Sequence, residues 1–138
     1  IHSGDWSSDV CSSDLEVIDG LSVRHPRVAT LPGLPGLSGA LMAGAVLPIA
    51  WRRARALHAD VILAAFAYPD GAAGLALARI LGLPLVLKVH GPELEEAGAD
   101  RLAASQLRRV LRRAARVVVV CDALRPRVEA LGAPRSSP

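Results

Sequence analysis

The chain has 138 residues, enough for one domain and too few for two of ordinary size. With 51% hydrophobic and 21% charged residues it is too apolar for a disordered segment, and its 16 basic against 13 acidic residues leave a net charge of +3. Its two cysteines exclude a disulfide framework, and its four His residues have no paired ligand spacing, so we expect neither a metal site nor a metal cofactor.

The first fifteen residues differ in composition from the rest of the chain. They hold three Asp and no Lys or Arg, and the near-repeat of residues 7–10 at 12–15 follows neither a helical nor a strand period. This segment resembles translated sequencing-adapter DNA, and its polar, acidic start is not that of a secretory signal. We therefore predict a non-native tail at 1–15, a partial domain at 16–132 and a truncated linker at 133–138.

Beyond that tail, the first predicted elements are one strand and one long helix. Leu21–Val28 has the pattern of a strand that ends in an extended His-Pro pair, and two Pro-Gly steps predict a loop at 31–36. Residues 37–57 show a helical pattern whose last turn is rich in Arg. Because residues 28–51 carry no charge, a membrane span is one interpretation, but the Pro and Gly residues in this run favour a buried or surface-lying helix.

The second half of the chain alternates between short apolar runs and helical segments. Each run is typical of a strand that is buried on both faces, and the alternation predicts right-handed crossovers in a parallel sheet. We therefore predict an α/β fold. The predicted strands are 61–66, 85–89 and 116–121, the predicted helices are 72–81, 101–115 and a last one capped by Asp122 and ending at Leu131, and 90–100 is a predicted loop.

The carboxyl ends of these strands are the expected place for a ligand, as in other open parallel sheets. They are Ala67–Gly71, His90–Glu93 and Cys121–Asp122. His90 offers a hydrogen-bond donor or acceptor near neutral pH, and Gly91 lets the backbone approach a ligand closely. The simpler alternative is that both residues only form the turn after the strand.

Asp70 lies where the helix predicted at 72–81 begins. It is either the N-cap of that helix or a neighbour of free backbone amides that bind an anionic group. Known nucleotide-binding loops are not supported, because Gly33, Gly36 and Gly39 do not have the dinucleotide spacing and no glycine pair is followed by the Lys of a P-loop.

The helix predicted at 101–115 is amphipathic. A helix with a basic face can lie on an anionic lipid surface, and a solvated Arg face is the simpler alternative. No aromatic residues interleave with the arginines, so nucleic acid is not an expected partner. The apolar stripe consists of Leu102, Leu107, Val110, Leu111 and Ala114, and the basic face consists of Arg108, Arg109, Arg112 and Arg113.

Several short motifs follow one another in a fixed order and spacing. They are Ala59–Ile62, Phe66–Gly71, Leu81–Val86, Lys88–Gly91, Arg112–Val120 and Ala123–Arg125. This succession, which extends over residues 17–132, resembles the N-terminal domain of GT-B glycosyltransferases of family 4. Two segments depart from the family's pattern: Leu63 and Ala65 stand where His is frequent, and Pro92-Glu93 replaces a small hydroxyl residue and Asp.

The resemblance implies a Rossmann-like parallel sheet flanked by helices, which is one incomplete half of the two-domain GT-B fold. It implies a cytoplasmic enzyme, at the inner membrane face, that transfers sugar with retention from a nucleotide-sugar co-substrate to a carbohydrate or lipid-linked acceptor. It assigns no catalytic residue. The residues that it places along the acceptor side of the interdomain cleft are Tyr68, Asp70, Gly71, His90, Gly91 and Glu93.

The resemblance also implies parts of the enzyme beyond this chain. A first strand with a glycine-rich loop would precede Val17, and a second domain that holds the nucleotide-sugar would follow Leu131. Because the transition state forms between two domains, we expect the chain by itself to be inactive. The alternative is a non-catalytic α/β module that binds a small ligand.

Overall fold

The computed structural model describes residues 15–29, 31 and 33–134. It opens on an antiparallel hairpin of β1 (Leu15–Ile18) and β2 (Leu21–Arg24), whose two turn residues, Asp19 and Gly20, both have positive φ. This is the backbone that a two-residue Asp-Gly hairpin requires. The predicted strand Leu21–Val28 is thus confirmed in part: it ends four residues earlier, where pairing with β1 ends, and β1 itself was not predicted.

The predicted tail and linker lie mostly outside the described residues, at 1–14 and 135–138. Leu15, the last residue of the predicted tail, pairs with Arg24 and so belongs to β1. The proposed boundaries of the tail and the linker remain predictions.

The long apolar helix is close to its predicted bounds. Helix α1 (Ser38–Ala56) follows a 3-10 turn at Pro35–Leu37, contains Pro48, and packs chiefly against helix α2 (Asp70–Leu81). In the part of the chain that the structure describes, no helix combines the length and the apolar character that crossing a bilayer needs.

The predicted alternation of strands and helices is confirmed. Strands β3 (Ile62–Ala64), β4 (Leu85–Val89) and β5 (Arg116–Val119) form a parallel sheet in that order. Helix α2 connects the first pair. The second connection contains α3 (Pro92–Gly98) and α4 (Arg101–Arg113), and a 3-10 turn at Asp122–Leu124 leads into the last helix, α5 (Arg125–Ala130).

Helix α3 lies where we predicted a loop, so that prediction was wrong. Pro92 occupies its first turn, where a missing N–H is harmless, and Glu93 and Glu95 place negative charge at its positive end. These are start signals for a helix, but seven residues are too few to show an apolar period.

The prediction that the strands are buried on both faces was also wrong. Ala64, Leu87 and Val89 are buried on one face, whereas Leu63 and Val118 on the other face are 67% and 52% exposed. Both crossovers proceed in the same direction along the sheet, and right-handed crossovers then place α2 and α4 on the same face. The core therefore lies between that face and the two helices.

Candidate functional site

The segments that follow β3 and β4 meet at the carboxyl edge of the sheet. The rings of Phe66 and His90 lie 4.7 Å apart between centroids, tilted by 31°. The pKa of Asp70, in the first loop, is raised mainly by burial and further by the negative charge of Glu93, in the second. The structure therefore brings together residues of two of the three predicted strand ends.

Glu93 holds the loop after β4 in place. Its carboxylate accepts hydrogen bonds of 2.8 Å from the backbone amides of both His90 and Gly91, and the residue is 5% exposed. Gly91 adopts a φ of +115°, which side-chain-bearing residues rarely adopt, and this turn brings the two amides onto the carboxylate. Both backbone donors are therefore already used, and what the loop offers a ligand is the His90 side chain.

His90 is the side chain at this edge that is best placed for hydrogen bonding. It is half-buried beneath Phe66, which is 41% exposed. Within the described part of the chain, neither of its ring nitrogens has a hydrogen-bond partner. An imidazole fixed on its backbone side and open at its nitrogens can bind a hydroxyl group of a ligand.

Asp70 is not the N-cap that the sequence suggested. The cap position is held by Pro69, after a cis Tyr68-Pro69 bond, and Asp70 is the first residue of α2, with no side-chain cap bond at this helix start. Burial raises the pKa of Asp70 above its ordinary value of 3.8, and the negative charge of Glu93 adds to the rise. Hydrogen bonds with backbone groups of Asp70 itself and Phe66 offset part of it.

Tyr68 and Gly71 make contacts inside the fold. The Tyr68 hydroxyl donates to the Pro35 carbonyl at 2.6 Å and accepts from the Gly39 amide at 3.3 Å, while the residue is 7% exposed. At Gly71, a Cβ atom would lie 2.8 Å from Cγ1 of Val110, so the start of α2 packs directly on α4. Both residues fix the position of the loop, and their contact with a substrate remains a prediction.

The third strand end adjoins the end of β4. Leu124, in the turn after β5, packs against Gly91, and a groove of about 400 Å³ beside β5 is lined in part by Cys121, Asp122 and Arg125. Asp122 does not cap a helix directly: it opens the 3-10 turn, and its carboxylate accepts a 3.0 Å hydrogen bond from Arg125.

Sequence reasoning missed Phe66 as a site residue. The available signal was a large aromatic residue at the end of the predicted strand 61–66, at the edge where ligands of parallel sheets bind. As for metals, the residues described by the structure include no group of three or more His, Cys, Asp or Glu side chains that could hold an ion.

Comparison with known proteins gives one positive result. Residues 7–137 match the family model described as Glycosyltransferase Family 4. No curated protein matches the chain. The family match extends over all three strand ends described above and confirms the resemblance noted from the motifs.

Proposed function

The chain belongs to glycosyltransferase family 4, and from this premise we propose that it supplies the acceptor side of a retaining enzyme that transfers sugar from a nucleotide-sugar to a carbohydrate or lipid-linked acceptor. The observation that carries the proposal is the His90 side chain, which the Glu93 carboxylate fixes at the carboxyl edge with its ring nitrogens open. Sugars present hydroxyl groups, and a hydroxyl group can form a hydrogen bond with an imidazole nitrogen.

In the proposed reaction, the bond between the anomeric carbon and the phosphate oxygen breaks, and a bond to an acceptor oxygen forms. The acceptor hydroxyl passes its proton to the leaving nucleoside diphosphate, which also retains the electron pair of the broken bond. His90 orients a sugar hydroxyl during this exchange. Asp70, which the charge of Glu93 reaches, offers its carboxylate as a second hydrogen-bonding group for the sugar. The exposed ring of Phe66 gives an apolar face for a sugar ring.

The diphosphate of the donor needs cationic or amide groups, and three of these groups at this edge are already engaged. The amides of His90 and Gly91 bind Glu93, and Arg125 binds Asp122. We therefore propose that this edge binds the acceptor and the sugar, and that the chain alone does not turn over. A colorimetric assay for released nucleoside diphosphate, with the purified chain, a panel of nucleotide-sugars and carbohydrate acceptors, is expected to give no signal above the protein-free blank.

Binding to sugars tests the proposal directly. We expect saturation-transfer NMR with glucose, mannose and N-acetylglucosamine to detect binding by the 138-residue chain. His90→Ala should weaken that binding about threefold to tenfold, the worth of one lost hydrogen bond. His58→Ala, at an exposed histidine just beyond α1, is the matched control and should bind as the wild type does.

Circular dichroism spectra like that of the wild type are needed to show that both variants are folded. If no sugar binds, or if His90→Ala binds as well as His58→Ala, the carbohydrate site is not at this edge. Binding of a small molecule of another class through His90, with no sugar binding, would favour the non-catalytic α/β module instead.

A further inference from the structure

Helix α4 turns its apolar side into the core. Its interior-facing residues are buried and its outer face is basic, which confirms the predicted amphipathic pattern apart from Leu102, which is 50% exposed. The buried residues are Ala103, Ala104, Leu107, Val110 and Leu111. A helix that inserts into a lipid interface needs a free apolar face, and this face is already occupied. Any contact of α4 with a membrane must therefore be made by its arginines.

The arginines of the outer face line one groove. Arg108 and Arg112 are four residues apart, as are Arg109 and Arg113, so the two pairs form adjacent rows along the helix. Together with Ser105 they line a groove of about 360 Å³. All four are exposed.

Among the described residues, no acidic side chain forms an ion pair with the four arginines of this face. The ion pairs between described residues join other groups, and none involves these four guanidinium groups. The sequence of α4 contains no acidic residue. Arg79 also lines a neighbouring depression together with Arg113, which extends the basic surface toward α2.

We propose that this groove, formed by Ser105, Arg108, Arg109, Arg112 and Arg113, binds the phosphate groups of anionic lipids and seats the domain on an anionic membrane surface. Guanidinium groups bind phosphate oxygens in pairs of parallel hydrogen bonds, and the Ser105 hydroxyl adds a further donor. Single-stranded nucleic acid is a poorer fit, because no aromatic residue lines the groove for bases to stack on. The inference does not depend on sugar transfer.

Co-sedimentation with lipid vesicles tests the proposal. We expect the chain to bind vesicles of phosphatidylcholine mixed with phosphatidylglycerol, not vesicles of phosphatidylcholine alone, and to be released by added NaCl. Each arginine near the surface contributes about a fivefold increase in affinity. Replacing Arg108, Arg109, Arg112 and Arg113 together by Gln should therefore lower binding by about a hundredfold or more.

The matched control replaces four other exposed arginines by Gln: Arg24, Arg27, Arg52 and Arg53. It has the same net charge as the test variant and should keep most of the binding. Equal loss in both variants would show an effect of net charge and overturn the proposal. Three other results would also overturn the proposal. They are failure of the wild type to bind vesicles, competition by RNA at the same salt concentration, and binding of inorganic pyrophosphate without binding of vesicles. Circular dichroism must show both variants folded for either result to count.

Discussion

A single buried carboxylate organises the candidate site at the level of residues. Glu93 is the one charged residue among those described that is buried, and burial of a charge is unfavourable unless hydrogen bonds replace the lost water. Two charge-assisted bonds from the His90 and Gly91 amides supply that replacement. The same bonds fix the backbone of the loop, so the imidazole of His90 is held with little freedom to lose on binding a ligand.

For Asp70, the same surroundings disfavour the charged form of the carboxyl group. Its pKa is raised in the folded state by burial, with a contribution from the charge of Glu93. The folded protein then holds the Asp70 proton more tightly than the unfolded chain does, so stability falls as pH rises from 3.8 through the raised pKa. Above that pKa the charged carboxylate destabilises the fold, and protonation relieves the penalty.

We therefore expect Asp70→Asn to be more stable than the wild type at neutral pH, with a difference that shrinks as pH is lowered toward 3.8. Urea unfolding at a series of pH values measures this difference. Asp60→Asn, at an exposed carboxylate, removes the same charge and is the control for net charge. A difference that grows at acid pH would contradict the assigned direction of the shift.

The helices and strands differ in how well they can be predicted from their sequences. Residues 37–57 and 101–115 contain several turns of a helical period, and both helices were predicted within a few residues of their ends. Helix α3 and the hairpin are short and depend on a few residues each, such as Pro92 for the helix and Asp19-Gly20 for the turn. Periodicity carries no information over so few positions.

The site was predictable to a similar degree. The order of strands and helices places His90 and Asp70 at one edge, because parallel strands end together. The hydrogen bonds of Glu93 could not be predicted, because they require the φ of +115° at Gly91, which folds the loop back onto the carboxylate. Nor could the contact between Phe66 and His90, which depends on the register of β3 against β4.

Contact between α2 and α4 depends on the absence of a side chain at Gly71. A Cβ atom there would lie 2.8 Å from Cγ1 of Val110 and 3.2 Å from Cδ2 of Leu87. We expect Gly71→Ala to lower the free energy of unfolding by about 1–3 kcal/mol, since the packed neighbours must shift. Urea denaturation measures the change.

Gly44→Ala is the matched control, because Gly44 lies in α1 and a Cβ atom there would meet nothing within 4 Å. This substitution should raise stability by up to about 1 kcal/mol, since Ala is the better helix former. Equal stabilities for the two variants would show that α2 can move away from α4 without loss.

Across the whole molecule, the proposed membrane contact on α4 and the candidate site at the carboxyl edge of the sheet lie apart. The helix starts near the carboxyl edge, where Asp100 caps it, and as a crossover helix it proceeds toward the opposite edge of the sheet. The four arginines lie seven to twelve residues beyond Arg101, which is about 10–18 Å along the axis. Lipid bound at the arginines would thus leave the carboxyl edge open for a sugar.

Because the core covers only one face of the sheet, substitutions on the two faces are expected to differ in their effect on stability. Leu63 is 67% exposed on the open face of the sheet, and Leu87 is fully buried on the covered face. We expect Leu63→Thr to change the free energy of unfolding by no more than about 0.5 kcal/mol. Leu87→Ala should lower it by about 2–5 kcal/mol, because it leaves a cavity between the sheet and its helices.

Val118→Thr, a substitution of nearly equal size on the same open face, is a second probe and should be as mild as Leu63→Thr, since Val118 is 52% exposed. Losses at both positions that approach the loss in Leu87→Ala would mean that another surface covers the open face in solution. Sedimentation velocity over a range of protein concentrations would then distinguish a second copy of the chain, whose association depends on concentration, from a segment of the same chain, whose packing does not.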